Sequence, residues 1–156
     1  MRMEGNAEKA VYALKFFGNR AMARALAEIA APLLSHPDFS DIDMIVPVPL
    51  HWRRYWQRSY NQSELLAKML TRYLGKPCNL PLKRIRPTTR QATLSREERL
   101  KNLKGAFKVP DTGAVVGKKI LLVDDVLTTG STLHACAEAL QAAGTSDIKV
   151  FTVARR

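Results

Sequence analysis

One thirteen-residue run, residues 120–132, constrains the fold more than any other part of this sequence. It begins with four apolar residues, which predict a buried central strand, and it continues with Asp124 and Asp125. Open parallel sheets bind their ligands at the carboxyl ends of their strands, which is where these two acids are expected. A loop of small hydroxyl residues around Gly130 follows and leads into a helix. The run therefore predicts a strand, a polar loop and a helix that meet at one sheet edge.

Helix and strand signals alternate along the rest of the chain and predict an α/β fold. Helices are expected over 7–17 and 21–34, from a cap at Asn61 to a stop at Gly75, and from a cap at Ser131 or Thr132. Strands are expected over 106–109, 119–123 and 148–154, and residues 44–50 are expected to form a short buried strand that runs into a constrained loop, because two prolines do not fit the middle of a sheet. Within 83–104 we expect a weak strand, a mobile loop and a helical turn. This alternation predicts a parallel core sheet flanked by helices. We expect one domain over 1–156, with a helical part over about 7–35 and a core over about 42–156.

The spacing of apolar residues predicts which side of each helix faces the core. For 21–34 the predicted stripe is Met22, Leu26, Ile29 and Leu33, and Pro32 is expected to bend the helix or end it near Ala31. For the helix after Asn61 the stripe is Leu66, Met69, Leu70 and Tyr73, with Glu64 at the capping-box position. For the last helix the inner face is Leu133, Cys136, Ala137 and Leu140, and Gly144 is the expected stop.

The positive charge of the chain is concentrated in one segment. Lys and Arg number 25 against 14 Asp and Glu, for a net charge of +11, and residues 51–108 hold 15 of the basic residues but only three of the acidic ones. Such a segment suits a polyanionic partner, either a nucleic-acid backbone or a small molecule rich in phosphate. The alternative is a solvated basic face. Arginines that recur within short polar stretches favour anion binding, because guanidinium groups contact phosphate oxygens in pairs.

Composition excludes several other classes of protein. The two cysteines, Cys78 and Cys136, are too few for a disulfide framework or for a zinc site made of cysteines alone. No apolar run reaches the length of a membrane span, and the first residues lack the pattern of a secretory signal. We therefore expect a cytoplasmic protein without a membrane span.

The loop after the two acids has the composition of a phosphate-binding turn. Backbone N–H groups at a helix N-terminus point toward a bound anion, hydroxyl side chains add donors, and glycine permits close approach. The two carboxylates beside the loop accept hydrogen bonds only, which suits sugar hydroxyls. The alternative, hydroxyls that merely cap the helix, explains one such residue but not four. A Walker B strand is excluded because no G-x-x-x-x-G-K-[ST] motif precedes it.

Residues 120–132 resemble the phosphoribosyl-pyrophosphate (PRPP) signature of type I phosphoribosyltransferases. Two further segments resemble the ComF/GntX family: residues 46–50 followed by Arg54 and 58–62, and residues 84–94 followed by Arg99, Asn102 and 106–107. The likeness covers roughly residues 10–154. It implies the type I phosphoribosyltransferase fold and a link to natural competence, which is the uptake and use of external DNA.

The resemblance also implies roles for four groups of residues. Asp124 and Asp125 would hydrogen-bond the ribose 2′ and 3′ hydroxyls, and the 5′-phosphate would be held by Thr128, Thr129, Gly130, Ser131 and Thr132. Pyrophosphate would be received by Pro49, Leu50, His51 and Trp52, under a mobile basic loop that contains Arg84, Arg86, Arg90 and Arg99. Mg²⁺ would bridge pyrophosphate and ribose oxygens without a protein ligand of its own. The implied reaction displaces pyrophosphate at the anomeric carbon in favour of an acceptor that the sequence does not identify.

Three features depart from the family pattern. Some relatives place an acid at the position of Thr128, whose hydroxyl has too high a pKa to act as a base. Ser59 stands where the family usually has glycine. The four-cysteine zinc ribbon that usually opens the family's sequences is absent, so no zinc is expected in this chain.

A second hypothesis is a non-catalytic, competence-associated protein that binds single-stranded DNA and uses the fold as a scaffold or a PRPP sensor. The candidate contacts are Arg53, Arg54 and Arg58, which alternate with the aromatic residues Trp52, Tyr55, Trp56 and Tyr60. Surfaces for single-stranded nucleic acid combine such residues, because bases stack on rings while arginines contact phosphates. Alternatively, these aromatics pack the loop against the helix that follows.

Overall fold

Helices and strands alternate through most of the chain, for which the computed structural model describes residues 6–17, 20–50, 55, 59–86 and 96–155. The helices are α1 (Asn6–Phe17), α2 (Arg20–Leu34), α3 (Gln62–Leu74), α4 (Arg96–Leu103) and α5 (Ser131–Ala142), with short 3₁₀ turns at Pro37–Phe39 and Thr112–Ala114. The strands are β1 (Met44–Pro47), β2 (Lys83–Arg84), β3 (Phe107–Lys108), β4 (Lys119–Leu127) and β5 (Asp147–Arg155). Within these residues, none of the helices combines the length and the apolar character that crossing a bilayer requires.

The main sheet contains β1, β4 and β5, in that order and all parallel. The central strand, β4, pairs with β1 from Met44 opposite Ile120 and with β5 from Lys119 opposite Asp147. Strands of parallel sheets are buried on both faces and therefore carry continuous apolar runs, as β4 does at residues 120–123. The predicted parallel sheet with flanking helices is confirmed.

Side chains of β4 alternate between two hydrophobic cores, one on each face of the sheet. Leu121 and Val123 pack with residues of α1, α2 and α3 on one face. Ile120 and Leu122 pack on the other face with α5 and with the antiparallel ribbon made by β2 and β3. Because both faces are covered through Val123, polar side chains of β4 can reach a ligand only after that residue, toward the carboxyl end of the strand.

Strand β4 extends further than the sequence predicts. The predicted strand ends at Val123, but pairing with β5 continues through Asp124 opposite Thr152 and Val126 opposite Ala154. The prediction was wrong because two consecutive acids resemble the start of a loop, whereas a neighbouring strand can hold them in extended conformation. Both acids therefore lie inside the strand.

The ends of α3 are confirmed, and its buried face is partly corrected. Asn61 is the N-cap, and Gly75, with φ +64°, donates its N–H to the Thr71 carbonyl at the C-terminus. The buried apolar residues are Leu66, Ala67 and Leu70, whereas the predicted Tyr73 is 42 % exposed and Met69 is half-buried. Glu64 pairs with Lys68 at 2.6 Å along the helix. In α5, Leu133, Cys136 and Leu140 are buried as predicted, and Ala137 is half-buried.

The buried face of α2 differs from the predicted stripe. Of the predicted residues, Leu26 is buried and Met22 is half-buried against the core, but Ile29 and Leu33 are 67 % and 68 % exposed. The other buried residues are Ala23, Ala27, Ala30 and Leu34. Small alanine side chains beside Leu26 and Leu34 allow the close approach of α2 to α3, so packing buries this face and leaves Ile29 and Leu33 in solvent. Pro32 does not end the helix at Ala31, since the helix continues to Leu34. The proline removes one N–H donor, and the helix stops within one turn after it.

Two leucines of α2 test this orientation. Leu26 is 4 % exposed and Leu33 is 68 % exposed, so we expect Leu26→Ala to lower the free energy of unfolding by about 2–5 kcal/mol and Leu33→Ala by about 0.5 kcal/mol or less. Urea unfolding of the two variants measures both values. An equal loss of unfolding free energy in the two variants, or a larger loss for Leu33→Ala, would contradict the observed buried face of α2.

Candidate functional site

Two acidic side chains occupy opposite faces of β4 near its carboxyl end. Consecutive strand residues point in opposite directions, so Asp124 and Asp125 do not share a face. By this alternation Asp124 follows Ile120 and Leu122, which pack on the side of α5. Burial raises the pKa of the Cys136 thiol on α5, and the charge of Asp124 adds to this rise. Asp125 lies toward α3 and is only 7 % exposed. The acids therefore border the same sheet edge from different sides.

The first turn of α3 contacts both acids. The Ser63 hydroxyl donates to Oδ1 of Asp124 at 2.8 Å, and the same oxygen accepts the backbone N–H of Asp125 at 2.9 Å. On the other face, Nε2 of Gln62 lies 3.5 Å from Oδ2 of Asp125, a long contact. Gln62 and Ser63 are both buried, although buried polar side chains are uncommon at the start of a helix. Helix α3 thus orients the carboxylates of β4.

Asn61 ties this turn to the end of β1. Its side-chain oxygen accepts the backbone N–H of Ser63 at 3.1 Å, and its Nδ2 donates to the Val48 carbonyl at 3.0 Å. Val48 in turn donates its N–H to the Val123 carbonyl at 2.8 Å. The residues after β1, the first turn of α3 and the acids of β4 therefore form one hydrogen-bonded unit.

The loop that follows β4 leaves the N-terminus of α5 without a side-chain cap. Gly130 occupies the cap position with φ +77°, in the left-handed region that favours glycine. The prediction that Ser131 or Thr132 caps the helix was wrong, because both residues already belong to it. The Ser131 hydroxyl shares a 2.9 Å hydrogen bond with the hydroxyl of Thr129. The first amides of α5 thus face the loop without a competing side-chain acceptor, which suits an anion.

Exposure within this loop is graded. Thr128 is exposed, Thr129, Gly130 and Thr132 are half-buried, and Ser131 is 2 % exposed. Of the predicted pyrophosphate loop, Pro49 and Leu50 are half-buried and follow Val48 at the same sheet edge. His51, Trp52, Arg53, Arg54, Arg58 and Arg90 lie outside the described residues.

The predicted basic loop is divided between regular elements. Arg84 lies in β2 with its guanidinium carbon 5.4 Å from the centre of the Phe107 ring, and Arg99 lies in α4. Nη2 of Arg86 donates to the carbonyls of Asn102 and Lys104 at 3.0 and 2.7 Å, so this arginine fastens the residues after β2 to the end of α4. The weak strand and the helical turn predicted within 83–104 are confirmed. Of the four arginines assigned to this loop, Arg84 and Arg99 lie in regular elements, which pairing of β2 with β3 and packing of Leu103 stabilise. Arg90 lies outside the described residues, and the role of these arginines at the pyrophosphate stays a prediction.

The carboxylates at this edge offer oxygen atoms, which are the ligand atoms that Mg²⁺ prefers. In the described part of the chain, His, Cys, Asp and Glu form no group of three or more that could hold a metal ion. The expectation that Mg²⁺ would bind together with a phosphorylated ligand, without a protein ligand of its own, stays a prediction.

Residues 60–156 match the family model described as the phosphoribosyl transferase domain. The chain belongs to this family. The resemblance to ComF proteins is confirmed by curated relatives: the chain is 36 % identical over 143 residues to competence protein F of Haemophilus influenzae and 37 % identical over 150 residues to the DNA utilization protein YhgH of Salmonella typhi. These matches cover 90 % and 93 % of this chain but 62 % and 65 % of the relatives, so the chain spans less than two thirds of their length.

A solved structure supports the same fold. The chain is similar to the glutamine PRPP amidotransferase from B. subtilis complexed with ADP and GMP, with a TM-score of 0.61 and 19 % sequence identity. The match covers 92 % of this chain and 30 % of that chain. At this identity the likeness shows the fold alone.

Ser59, which stands where the family usually has glycine, adopts a backbone conformation that favours glycine. Its φ is +60°, and its N–H donates to the Tyr55 carbonyl at 2.6 Å. The glycine-type turn before α3 therefore forms with a serine, at the cost of contacts between its Cβ and the backbone.

Replacement of this serine tests for the strain. We expect Ser59→Gly to raise the free energy of unfolding by about 1 kcal/mol, because glycine adopts positive φ without steric cost. Ser59→Ala, which keeps the Cβ, is the matched control and should change stability by about 0.5 kcal/mol or less. Thermal unfolding of the three proteins measures the difference. A destabilised Ser59→Gly protein would contradict the positive φ.

Proposed function

We propose that this protein binds a phosphorylated pentose together with Mg²⁺, with PRPP as the candidate ligand, and that it transfers the phosphoribosyl group to an acceptor. One observation carries the proposal: two oriented carboxylates lie at the carboxyl end of β4, immediately before a helix N-terminus that no side chain caps. The carboxylates offer acceptors to sugar hydroxyls, and the helix amides offer donors to a phosphate. Membership of the phosphoribosyl transferase domain family supports the same ligand class.

Each group of residues has a distinct role in this proposal. Asp124 and Asp125 accept hydrogen bonds from the ribose hydroxyls, and the 5′-phosphate lies against residues 128–132. Ser63 holds Oδ1 of Asp124 in place. Because this carboxylate is already ordered, it loses less conformational entropy when the sugar binds. Pro49 and Leu50 border the position of the pyrophosphate. Mg²⁺, when bound with the ligand, neutralises charge on the pyrophosphate oxygens and so assists their departure.

The transfer step breaks the bond between the anomeric carbon and the pyrophosphate oxygen, which leaves with the electron pair. A bond from the acceptor to the anomeric carbon replaces it. Thr128, at the position where some relatives place an acid, is exposed and does not supply a base at neutral pH. This favours an acceptor whose nucleophilic atom needs no deprotonation before it attacks.

Neutralising the acids tests ligand binding. We expect Asp124→Asn and Asp125→Asn each to weaken binding of Mg²⁺–PRPP roughly 10- to 100-fold, because each loses a charge-assisted hydrogen bond to a sugar hydroxyl. Calorimetric titration measures the dissociation constants. Asp38→Asn, which removes one exposed negative charge from the 3₁₀ turn Pro37–Phe39, is the matched control and should bind as the wild type does.

Two results would contradict the proposal. The first is an absence of heat when millimolar Mg²⁺–PRPP is added to the folded wild type. The second is unchanged affinity in both site variants while thermal unfolding shows that they are folded.

A second candidate function is binding of single-stranded DNA, favoured by a lysine surface on the β2–β3 ribbon and α4. Lys83 and Lys108 lie directly opposite each other in the antiparallel pair, and both are exposed, as are Lys101 and Lys104. Like charges in this arrangement destabilise a ribbon unless an anion lies nearby. Among the described residues no carboxylate pairs with these four lysines. Relatives named for competence and DNA utilization support this candidate.

The salt dependence of binding tests this candidate. We expect Lys83→Ala/Lys108→Ala to weaken binding of a single-stranded oligonucleotide and to reduce the slope of log K against log salt by about 1.4, the value for two lost phosphate contacts. Fluorescence anisotropy at several salt concentrations measures both. Lys9→Ala/Arg20→Ala removes the same charge from α1 and α2 and is the control. Equal slopes in the two double variants would exclude the lysine surface as the site.

A further inference from the structure

Gln62 is a buried polar residue whose hydrogen bonds are incomplete. Gln62 is 5 % exposed, and its Nε2 makes the long 3.5 Å contact with Asp125. Its Oε1 is buried and has no hydrogen-bond partner within the described residues. A buried acceptor without a donor is costly, and native proteins rarely keep one. The carboxamide therefore requires a donor that the described part of the chain does not supply.

The surroundings of Gln62 restrict what that donor can be. The residue is fixed on both sides in the chain, by the cap of Asn61 and by the bond of Ser63 to Asp124, so its side chain starts from a rigid backbone. Nε2 of Gln62 contacts the Asp125 carboxylate. The carboxamide oxygen and the carboxylate are therefore two acceptors on either side of Nε2. Two acceptors that flank one N–H group in this way suit a ligand with two neighbouring O–H donors.

We propose that Gln62 is a specificity-determining residue that recognises the hydroxyl groups of the pentose. One ribose hydroxyl donates to Asp125, and a neighbouring hydroxyl donates to Oε1 of Gln62. The inference rests on the proposed binding of a phosphorylated pentose and adds a residue outside the signature run to that site. A site built to bind a hydroxyl rejects an analogue that lacks it, because the site's own polar groups then stay buried without partners.

Selectivity among pentose phosphates separates recognition from a merely structural role. Calorimetric titrations use ribose 5-phosphate, 2-deoxyribose 5-phosphate and 3-deoxyribose 5-phosphate with the wild type and with Gln62→Met, which preserves the length of the side chain but removes its acceptor. We expect the wild type to prefer ribose 5-phosphate at least 10-fold over each deoxy sugar. In Gln62→Met the preference over one of the two deoxy sugars should fall to about 3-fold or less, through weaker binding of ribose 5-phosphate.

A second variant and a control complete the experiment. Gln62→Asn keeps an amide but has a side chain one methylene shorter, which moves the amide away from the hydroxyl. This variant should therefore lose the same selectivity, and it replaces Gln62→Met if the Gln62→Met protein does not fold. Thr145→Val is the control, because Oγ1 of Thr145 is likewise buried with no hydrogen-bond partner in the described residues, but it lies before β5, at the opposite end of the sheet. It should keep the selectivity of the wild type.

The outcomes distinguish this inference from the proposed function. If the wild type binds none of the three sugar phosphates, the proposed function fails and the role of Gln62 fails with it. If the wild type binds without preference, or if Gln62→Met weakens all three sugars equally, the pentose site stands and the recognition role of Gln62 is overturned. Equal weakening would mean that Gln62 only positions Asp125.

Discussion

The hydrogen bonds between the first turn of α3 and the end of β4 are the interaction on which the candidate site depends. Ser63 contacts Asp124, Gln62 contacts Asp125, and Asn61 connects both to the residues after β1. Without this turn, Asp124 would lose the hydrogen bond from Ser63 and Asp125 would lose its contact with Gln62. With it, each carboxylate has a fixed direction before any ligand arrives, which lowers the entropic cost of binding.

The sheet determines where the chemistry can occur. Both faces of β4 are covered through residue 123 by separate hydrophobic cores, so access to its polar groups is confined to the carboxyl end. The residues after β1, the start of α3 and the loop before α5 all meet there, as expected for an open parallel sheet. The lysine surface lies on the ribbon and α4, which pack against α5 on the face of the sheet opposite α3.

Local sequence patterns predicted the strands, the helix ends at Asn61 and Gly75 and the acid-rich edge, because these features depend on nearby residues. Sequence patterns failed where contacts between residues distant in the sequence determine the structure. The face of α2 is set by its contact with α3, and the length of β4 is set by pairing with β5. Ser63 was missed as a site residue because a serine after a helix cap is usually solvent-exposed. Its role depends on Asp124, which is 61 positions away in the sequence.

The central claim is that the loop before α5 and the acids of β4 bind a phosphorylated pentose. Amide chemical shifts during titration with ribose 5-phosphate test it most directly, since each residue reports on its own surroundings. The account predicts saturable shifts at residues 129–132 and at Ser63, with the N-terminal residues of α2 unchanged. Saturation confined to the lysine surface, with the amides of residues 129–132 unmoved, would contradict it.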